Sequence, residues 1–325
     1  MAAWPISFEE VLAARERLRP HLVPTPLRSY PALDAEVGHG IRVFVKHENH
    51  QPTNAFKVRN GLAALSLLGE AERRRGVVSA STGNHGQGVA WAGRLLGVPV
   101  TICVPLGNNP EKNAAMRALG ASVVESGRDY DEALEGALRL CRERGLAMLH
   151  STNDKGVIAG AATLALETLE ERPSLEALVM AVGGGSQAVG AMTAARGLGR
   201  PVEVFGVQSE GAPAIYESWR RGETVKTDSV RTFAEGIATR SPYELTFDTL
   251  REGLAGFVAV SEAELAEAVR VLLRITHNLV EGAGAAGLAG LMRLREGLAG
   301  REVGIVISGG NIDAATLRRV LAKEL

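Results

Sequence analysis

Lys57 stands in the stretch Gln51-Pro52-Thr53-Asn54-Ala55-Phe56-Lys57-Val58-Arg59, after an apolar run that reads as a strand, Arg42 to Lys46. An alanine- and leucine-rich helix candidate, Val58 to Leu68, follows it. A lysine at a strand-to-helix turn is aimed from rigid backbone into a cleft, where its amine can serve as nucleophile or base. The same position also suits a solvated helix-start residue, so its company decides. Three more polar or glycine-rich turns close apolar runs: Ser79 to Gly88, Gly183 to Gln187, and Ser308 to Asn311.

In Gly183-Gly184-Gly185-Ser186-Gln187, backbone N–H groups at a helix start can hold a phosphate, and the glycines remove side chains that would obstruct it. No Gly-Lys-Ser/Thr follows, and no Gly-x-Gly-x-x-Gly with a downstream acid is present, so neither nucleotide-loop pattern applies. A packing turn is the plain alternative. Beside an inward lysine, the phosphate of a cofactor is the sharper expectation. The run Ser81-Thr82-Gly83-Asn84-His85 is a second anion cradle. Its backbone donors and the Ser81 and Thr82 hydroxyls suit a substrate carboxylate, while Asn84 suits a ring oxygen. A simple helix cap accounts for one hydroxyl only. His85 is expected to order this turn, and His47 and His50 to be satisfied residues at the surface or in support of a neighbouring group. His150 and His277 lack a constellation that fixes a role, and no Gly-x-Ser-x-Gly elbow marks a hydrolase.

The 325 residues are 46% hydrophobic and 22% charged, a globular composition with length enough for two domains. A formal net charge of -1 argues against broad attraction to nucleic acid or anionic lipid, so neither is expected as a partner. No apolar run reaches transmembrane length, and Met1 to Glu10 lacks a signal-peptide pattern; cytoplasmic residence is expected. Cys103 and Cys141 read as ordinary buried thiols, too few for a structural zinc site.

The elements that must carry these turns follow from periodicity. Ser7 to Arg19 is a helix with a Ser7/Glu10 capping box, and Pro20, Pro24 and Pro26 force an extended connection. Strands Val77 to Ala80, Val98 to Val104, Ser122 to Glu125 and Ala147 to Leu149 then alternate with helices His85 to Leu96, Pro110 to Leu119 and Tyr130 to Arg144. Gly88 and Gly93 imply close backbone packing. A second set comprises helix Gly156 to Glu170, strand Ala177 to Val182, helix Gln187 to Arg196 and strand Val202 to Val207. After a less regular region, Gly211 to Thr246, come strand Gly256 to Val260 and a helix capped by Ser261. Helix Gly284 to Glu296, strand Val303 to Ile307 and helix Asp313 to Leu325 finish the chain. Alternation with short loops predicts an α/β protein with parallel sheets. Residues 70–150 form a small α/β domain inserted between the two parts, 1–69 and 151–325, of a larger one.

Several separated motifs, in order, resemble the fold-type II pyridoxal-phosphate enzymes of the serine/threonine dehydratase and serine racemase group. They are Thr25-Pro26-Leu27, Lys46 to Gln51 with Thr53 to Arg59, Ser81 to Gly88, Val157 to Gly160, and Ser308 to Asn311. The resemblance implies a tryptophan-synthase-β-like fold of two open, predominantly parallel sheets, with pyridoxal 5'-phosphate in the cleft. It implies Lys57, beside Phe56, as the Schiff-base lysine and Asn84 as the contact to the ring oxygen. Gly183, Gly184, Gly185, Ser186 and Gln187 become the phosphate loop, and Ser308 the partner of the pyridine nitrogen. Gly236 and Glu281 fall beside the cofactor, and residues 81–85 hold the substrate carboxylate. Arg128 falls near a substrate-facing arginine of the racemase branch and suits a second carboxylate.

The chain departs from the family pattern at Asn54, Ala55 and Asn60, at Ser186-Gln187, and at Ala161-Ala162. Thr82 replaces the racemase serine, which disfavours racemisation. Gln208 and Ala214 replace divalent-cation acids, so no metal is expected. The implied reaction has Lys57 remove the α-proton of a small β-hydroxy amino acid. The β-hydroxyl leaves with the cofactor phosphate as proton source, and hydrolysis releases a 2-oxo acid and ammonia. A neutral hydroxyl at Ser308 favours elimination over transamination. L-threonine/L-serine ammonia-lyase is the first expectation, with 3-hydroxyaspartate ammonia-lyase or an amino-acid racemase as alternatives. A non-catalytic phosphate-ligand-binding or interaction protein is the alternative outside enzymes. The short stretch after Asn311 leaves no room for a regulatory domain, which suggests a stand-alone catabolic or housekeeping enzyme. The resemblance also implies a homodimer.

Overall fold

The structure, a computed structural model, describes residues 4–325. Ten strands form two sheets. The larger contains β1 (Leu27–Ser29), β2 (Arg42–His47), β7 (Ala177–Ala181), β8 (Glu203–Ser209), β9 (Gly256–Val260) and β10 (Glu302–Ile307), in the order β1-β2-β10-β7-β8-β9. The smaller contains β3 (Val77–Ala80), β4 (Val100–Val104), β5 (Ser122–Glu125) and β6 (Ala147–Met148), in the order β5-β4-β3-β6. Every neighbouring pair is parallel except β1 with β2. Two parallel sheets in an α/β arrangement are what strand–helix alternation predicts.

Helices cover both faces of the larger sheet. On one face lie α1 (Phe8–Leu18), α3 (Lys57–Leu65), α8 (Lys155–Glu171), α9 (Ser186–Gly197), α10 (Ala214–Arg221) and α11 (Glu244–Gly253). On the other lie α2 (Pro31–Val37), α12 (Glu262–Thr276), α13 (Gly282–Leu294) and α14 (Ala314–Leu321). The smaller sheet packs α7 (Tyr130–Arg144) on one face, and α5 (Asn84–Leu96) and α6 (Pro110–Ala118) on the other. Leu62, Val89, Ile102 and Leu166 belong to one apolar cluster, so the two sheets share a core through α3 and α5.

Local signals explain most boundaries. Ser7 Oγ accepts from Glu10 N at 3.2 Å and Glu10 Oε2 from Ser7 N at 2.7 Å, completing the box expected at α1. Asp129 caps α7, and Gly145, at φ 64°, ends it. The region expected to be irregular, 211–246, instead holds α10 and the start of α11. Gly211 and Pro213 mask a two-turn helix there, whose Ile215 and Ser218 are buried. The short elements β1, α2 and α4 (Glu70–Arg75) carry too few residues for a period to emerge.

Candidate active site

Turns following β3, β4, β7 and β10 converge on a cavity of about 670 Å³, walled by residues from both sheets. Lys57 is the first residue of α3 and lines it. The preceding turn is stitched to the 308–311 turn: Phe56 N donates to Ser308 O at 3.0 Å, Gly310 N to Asn54 O at 2.9 Å, and Asn311 Nδ2 to Thr53 O at 2.8 Å. Asn54 has φ 54°, a left-handed conformation that asparagine tolerates and most side chains do not. This explains how it stands where the resembling motif has glycine.

Lys57 Nζ donates to Ser151 O at 3.3 Å and lies 4.9 Å from the Phe56 ring centroid. Burial lowers its ammonium to about 8, because a desolvated cation sheds its proton more readily. Gly88 on α5 meets the Lys57 carbonyl so closely that a β-carbon there would collide with it, and one at Gly61 would lie 2.7 Å from Gly88 O. This backbone contact sets the starts of α3 and α5, and hence Lys57 and Asn84, around one space.

Behind Lys57 lies a buried ionic cluster. Arg59 donates to Glu48 (Nε–Oε2 2.8 Å) and to Glu167 (Nη1–Oε1 2.6 Å), while Lys46 Nζ meets Glu167 Oε2 at 2.9 Å. Two cations thus face two carboxylates, tying β2 and the turn after it to α3 and α8. The guanidinium of Arg59 also reaches Thr163 Oγ1 at 3.1 Å.

The 81–85 turn divides its groups between structure and cavity. Ser81 Oγ accepts from Gly83 N and Gly86 N at 3.2 and 2.9 Å, which steadies the turn into α5, and neither bond uses its O–H proton. Ser81 also lines the cavity with Thr82 and Gly83. His85 Nε2 lies 3.1 Å from Ser79 Oγ, which donates to Leu149 O at 2.6 Å. Burial holds His85 well below its ordinary value, a neutral ring ordering the turn. Asn84 Nδ2 donates to Glu281 Oε1 at 2.6 Å, and its Oδ1 accepts from Asn311 Nδ2 at 2.8 Å. Burial raises Glu281 to about 7.

Opposite, β7 runs into Gly183, Gly184 and Gly185, and α9 starts at Ser186. A β-carbon on Gly183 would strike Gly236 O, one on Gly184 the Thr152 side chain, and Gly185 has φ 94°. The turn is pinned by Thr239 Oγ1 to Gly183 O at 3.2 Å and Thr246 Oγ1 to Gly184 O at 2.7 Å. Gln187 is buried and its Nε2 has no partner. Ser308, at the end of β10, lines the cavity and donates to Ala283 O at 3.4 Å.

The rim holds residues that carried no periodic or motif signal. Tyr130 Oη lies 3.1 Å from Ser151 Oγ, and the His150 and Tyr243 rings meet edge-on at 5.1 Å. His150 Nδ1 accepts from Thr152 N and Asn153 N at 3.0 and 2.9 Å, which leaves the proton of the neutral ring on Nε2. Lys112 Nζ pairs with Glu235 at 2.6 Å; Arg240 Nη1 pairs with Asp129 and Asp131 at 3.2 and 3.0 Å. Arg128, expected to face substrate, lies in the turn before α7, is 85% exposed and is engaged by Glu132 in the first turn of that helix, although it borders the cavity. Among the described residues, Lys57 is therefore the one lysine or arginine of the cavity wall without a carboxylate partner.

Comparison with known proteins places this site in a class. Residues 18–309 match the family model described as "Pyridoxal-phosphate dependent enzyme". The L-threonine ammonia-lyase of Thermotoga maritima is 39% identical over 98% of this chain and 79% of its own length. The L-threo-3-hydroxyaspartate ammonia-lyase of a Pseudomonas species is 38% identical over 94% of this chain and 96% of its own. The structure of maize serine racemase superposes with a TM-score of 0.92 at 27% identity, covering 99% of this chain and 98% of that one. The chain belongs to the fold-type II pyridoxal-phosphate enzymes, in the family of threonine/serine dehydratases (ammonia-lyases) and serine racemases. Pyridoxal phosphate is its cofactor.

Proposed function

We propose that this chain eliminates the β-hydroxyl of a small β-hydroxy amino acid, L-threonine or L-serine, and releases a 2-oxo acid and ammonia. The carrying observation is the pairing of charges around the cavity: only the Lys57 amine is free of a carboxylate. A free, desolvated amine suits imine chemistry and proton abstraction, while no unpaired cation is left to receive a second substrate carboxylate. The threonine ammonia-lyase of Thermotoga maritima, similar over nearly the whole chain, supports the same reaction class.

The residues present fit pyridoxal phosphate. When bound, it supplies an aldehyde that condenses with amines and a conjugated ring that takes up the electron pair left by the α-proton. In this proposal Lys57, backed by Phe56, would hold the cofactor through its amine and would take the α-proton of the substrate on Nζ. The backbone of Gly183 to Gln187, with Ser186 at the start of α9, would hold the phosphate, with Gly236 beside the cofactor. Ser308 meets the pyridine nitrogen as a neutral partner. Asn84, oriented by Glu281 and Asn311, meets the ring oxygen, and the N–H groups of residues 82–85 hold the substrate carboxylate. Residues 70–150 act as the unit that closes over substrate. No described helix is long and apolar enough to cross a membrane. A homodimer in the cytoplasm is the proposed working state.

The test offers purified protein with pyridoxal phosphate a panel of L-threonine, L-serine, the 3-hydroxyaspartate diastereomers and D-amino acids, following 2-oxo acid and ammonia. Turnover of threonine or serine is expected. Preference for a 3-hydroxyaspartate, lost in Arg128→Ala, overturns the substrate, and racemisation without ammonia overturns the reaction.

A further inference from the structure

Arg240 and two aspartates meet across the cavity mouth. The arginine follows Thr239, whose hydroxyl is bonded to Gly183 O in the glycine turn, and its Nε donates to Thr227 O at 3.3 Å. Asp129 and Asp131 come from the opposite wall, at the start of α7. Between them in sequence is Tyr130, whose hydroxyl lies 3.1 Å from Ser151 Oγ; Ser151 O in turn accepts from Lys57 Nζ. One tyrosine and one serine thus separate this ion cluster from the reactive amine.

The charges at this rim do not balance. One guanidinium faces two carboxylates, leaving the group one negative charge in excess. The side chains are partly open to water, 38% for Arg240 and 49% and 57% for the aspartates, so an incoming anion meets them before they are fully screened. Arg128 differs: its partner Glu132 is four residues on, on the same wall of the cavity, and it stands 85% exposed. Lys112 differs too, because its pair with Glu235 lies beside Gly83 on the carboxylate-cradle side.

Resting on the elimination activity proposed above, we propose that Asp129 and Asp131 hold Arg240 and make the cavity reject substrates bearing a second carboxylate. With both aspartates neutralised, Arg240 becomes the receptor for that carboxylate. The two aspartates are specificity-determining residues, and the bland alternative is a latch between the two walls that is indifferent to substrate charge.

The experiment compares holoenzyme of the wild type, Asp129→Asn/Asp131→Asn, and the same double variant with Arg240→Ala. Asparagine at 129 keeps the acceptor that caps α7, which serves Glu132 N through Oδ1. For each, kcat/KM is measured for L-threo-3-hydroxyaspartate and for L-threonine. The hydroxyaspartate-to-threonine ratio is expected to rise roughly tenfold in the double variant, mainly through KM, and to fall back when Arg240 is also removed. Asp131→Asn alone, which leaves the cap untouched, is expected to give about a threefold rise and serves if the double variant folds poorly. Binding of succinate against butyrate, read from the cofactor absorbance, is expected to shift in the same sense without turnover. A ratio and a succinate preference that stay fixed, or that rise and survive removal of Arg240, overturn the inference. Equal changes for both substrates establish the latch and overturn it as well. Wild-type preference for hydroxyaspartate overturns the threonine/serine assignment together with it, whereas wild-type preference for threonine with an immobile ratio overturns the inference alone.

Discussion

The amide of Asn84 donates to the carboxyl of Glu281 across 2.6 Å, joining the start of the small-sheet helix α5 to the residue that precedes α13. Asn311 closes the far side of Asn84 at 2.8 Å, so the asparagine has little rotational freedom. Because burial raises Glu281 to about 7, this contact changes charge near neutrality.

That shift sets a stability prediction. Glu281 binds its proton more tightly folded than unfolded, so its contribution is full below about 4.5 and is lost as pH rises through about 7. Glu281→Gln keeps an acceptor for Asn84 and removes the titration. The stability of the variant relative to wild type is expected to improve by about 1–3 kcal/mol between pH 5 and pH 8. Paired urea titrations at the two pH values measure it.

The amine of Lys57 is expected to react at lower pH than surface lysines. With its value lowered to about 8, half is neutral at that pH in cofactor-free protein. Labelling by an amine reagent, followed by peptide mass analysis across pH 6.5–10, is expected to show the Lys57 peptide titrating about two units below the others. Lys57→Ala is expected to abolish both the imine absorbance and turnover, with a loss of at least about 10³-fold.

A methyl group at Gly88 has no room against the Lys57 carbonyl. Gly88→Ala is expected to force α3 from α5 and destabilise by about 1–3 kcal/mol, read from denaturant unfolding. Its cofactor absorbance is expected to fall at limiting pyridoxal phosphate, since Lys57 moves with its helix.

Arg59 sits two residues beyond Lys57 and neutralises Glu48 and Glu167 in the interior. Burial alone would raise Glu48, yet the adjoining Arg59 holds it below its ordinary value. Arg59→Ala strands that charge and is expected to cost about 3–5 kcal/mol in chemical denaturation. Replacing Glu48 and Arg59 together by apolar residues is expected to cost less than the single change, since it leaves fewer unpaired charges.

Sequence made the reactive end of the site legible and left its mouth obscure. Lys57, the 183–187 turn and the Ser308 turn each follow an apolar run, and their local chemistry is unusual enough to be noticed. The helix Tyr130–Arg144 was readable from its periodicity, and the structure caps it with Asp129 and ends it at Gly145. Lys112, Arg240 and Tyr243 lie in ordinary surroundings, and their partners are fixed only when segments more than a hundred residues apart meet, as for Lys112 with Glu235 and Arg240 with Asp129. The Ser81 hydroxyl shows another limit: its residue type suggested a ligand contact, and only the fold shows that the same oxygen also accepts from two backbone N–H groups at the start of α5. Arg128 was noticed for its position along the chain, and the Glu132 carboxylate at the start of α7 claimed both its backbone N–H and its guanidinium.

β2 lies directly beside β10, pairing Arg42 with Glu302 and His47 with Ile307, and the bonds that steady the Lys57 turn come from residues 308–311. On the ribosome, the segment bearing the amine emerges early and must wait for some 250 further residues before its neighbour exists. A prematurely terminated polypeptide lacking β10 therefore carries the Lys57 amine without the frame that aims it, and is expected to be inert rather than partially competent.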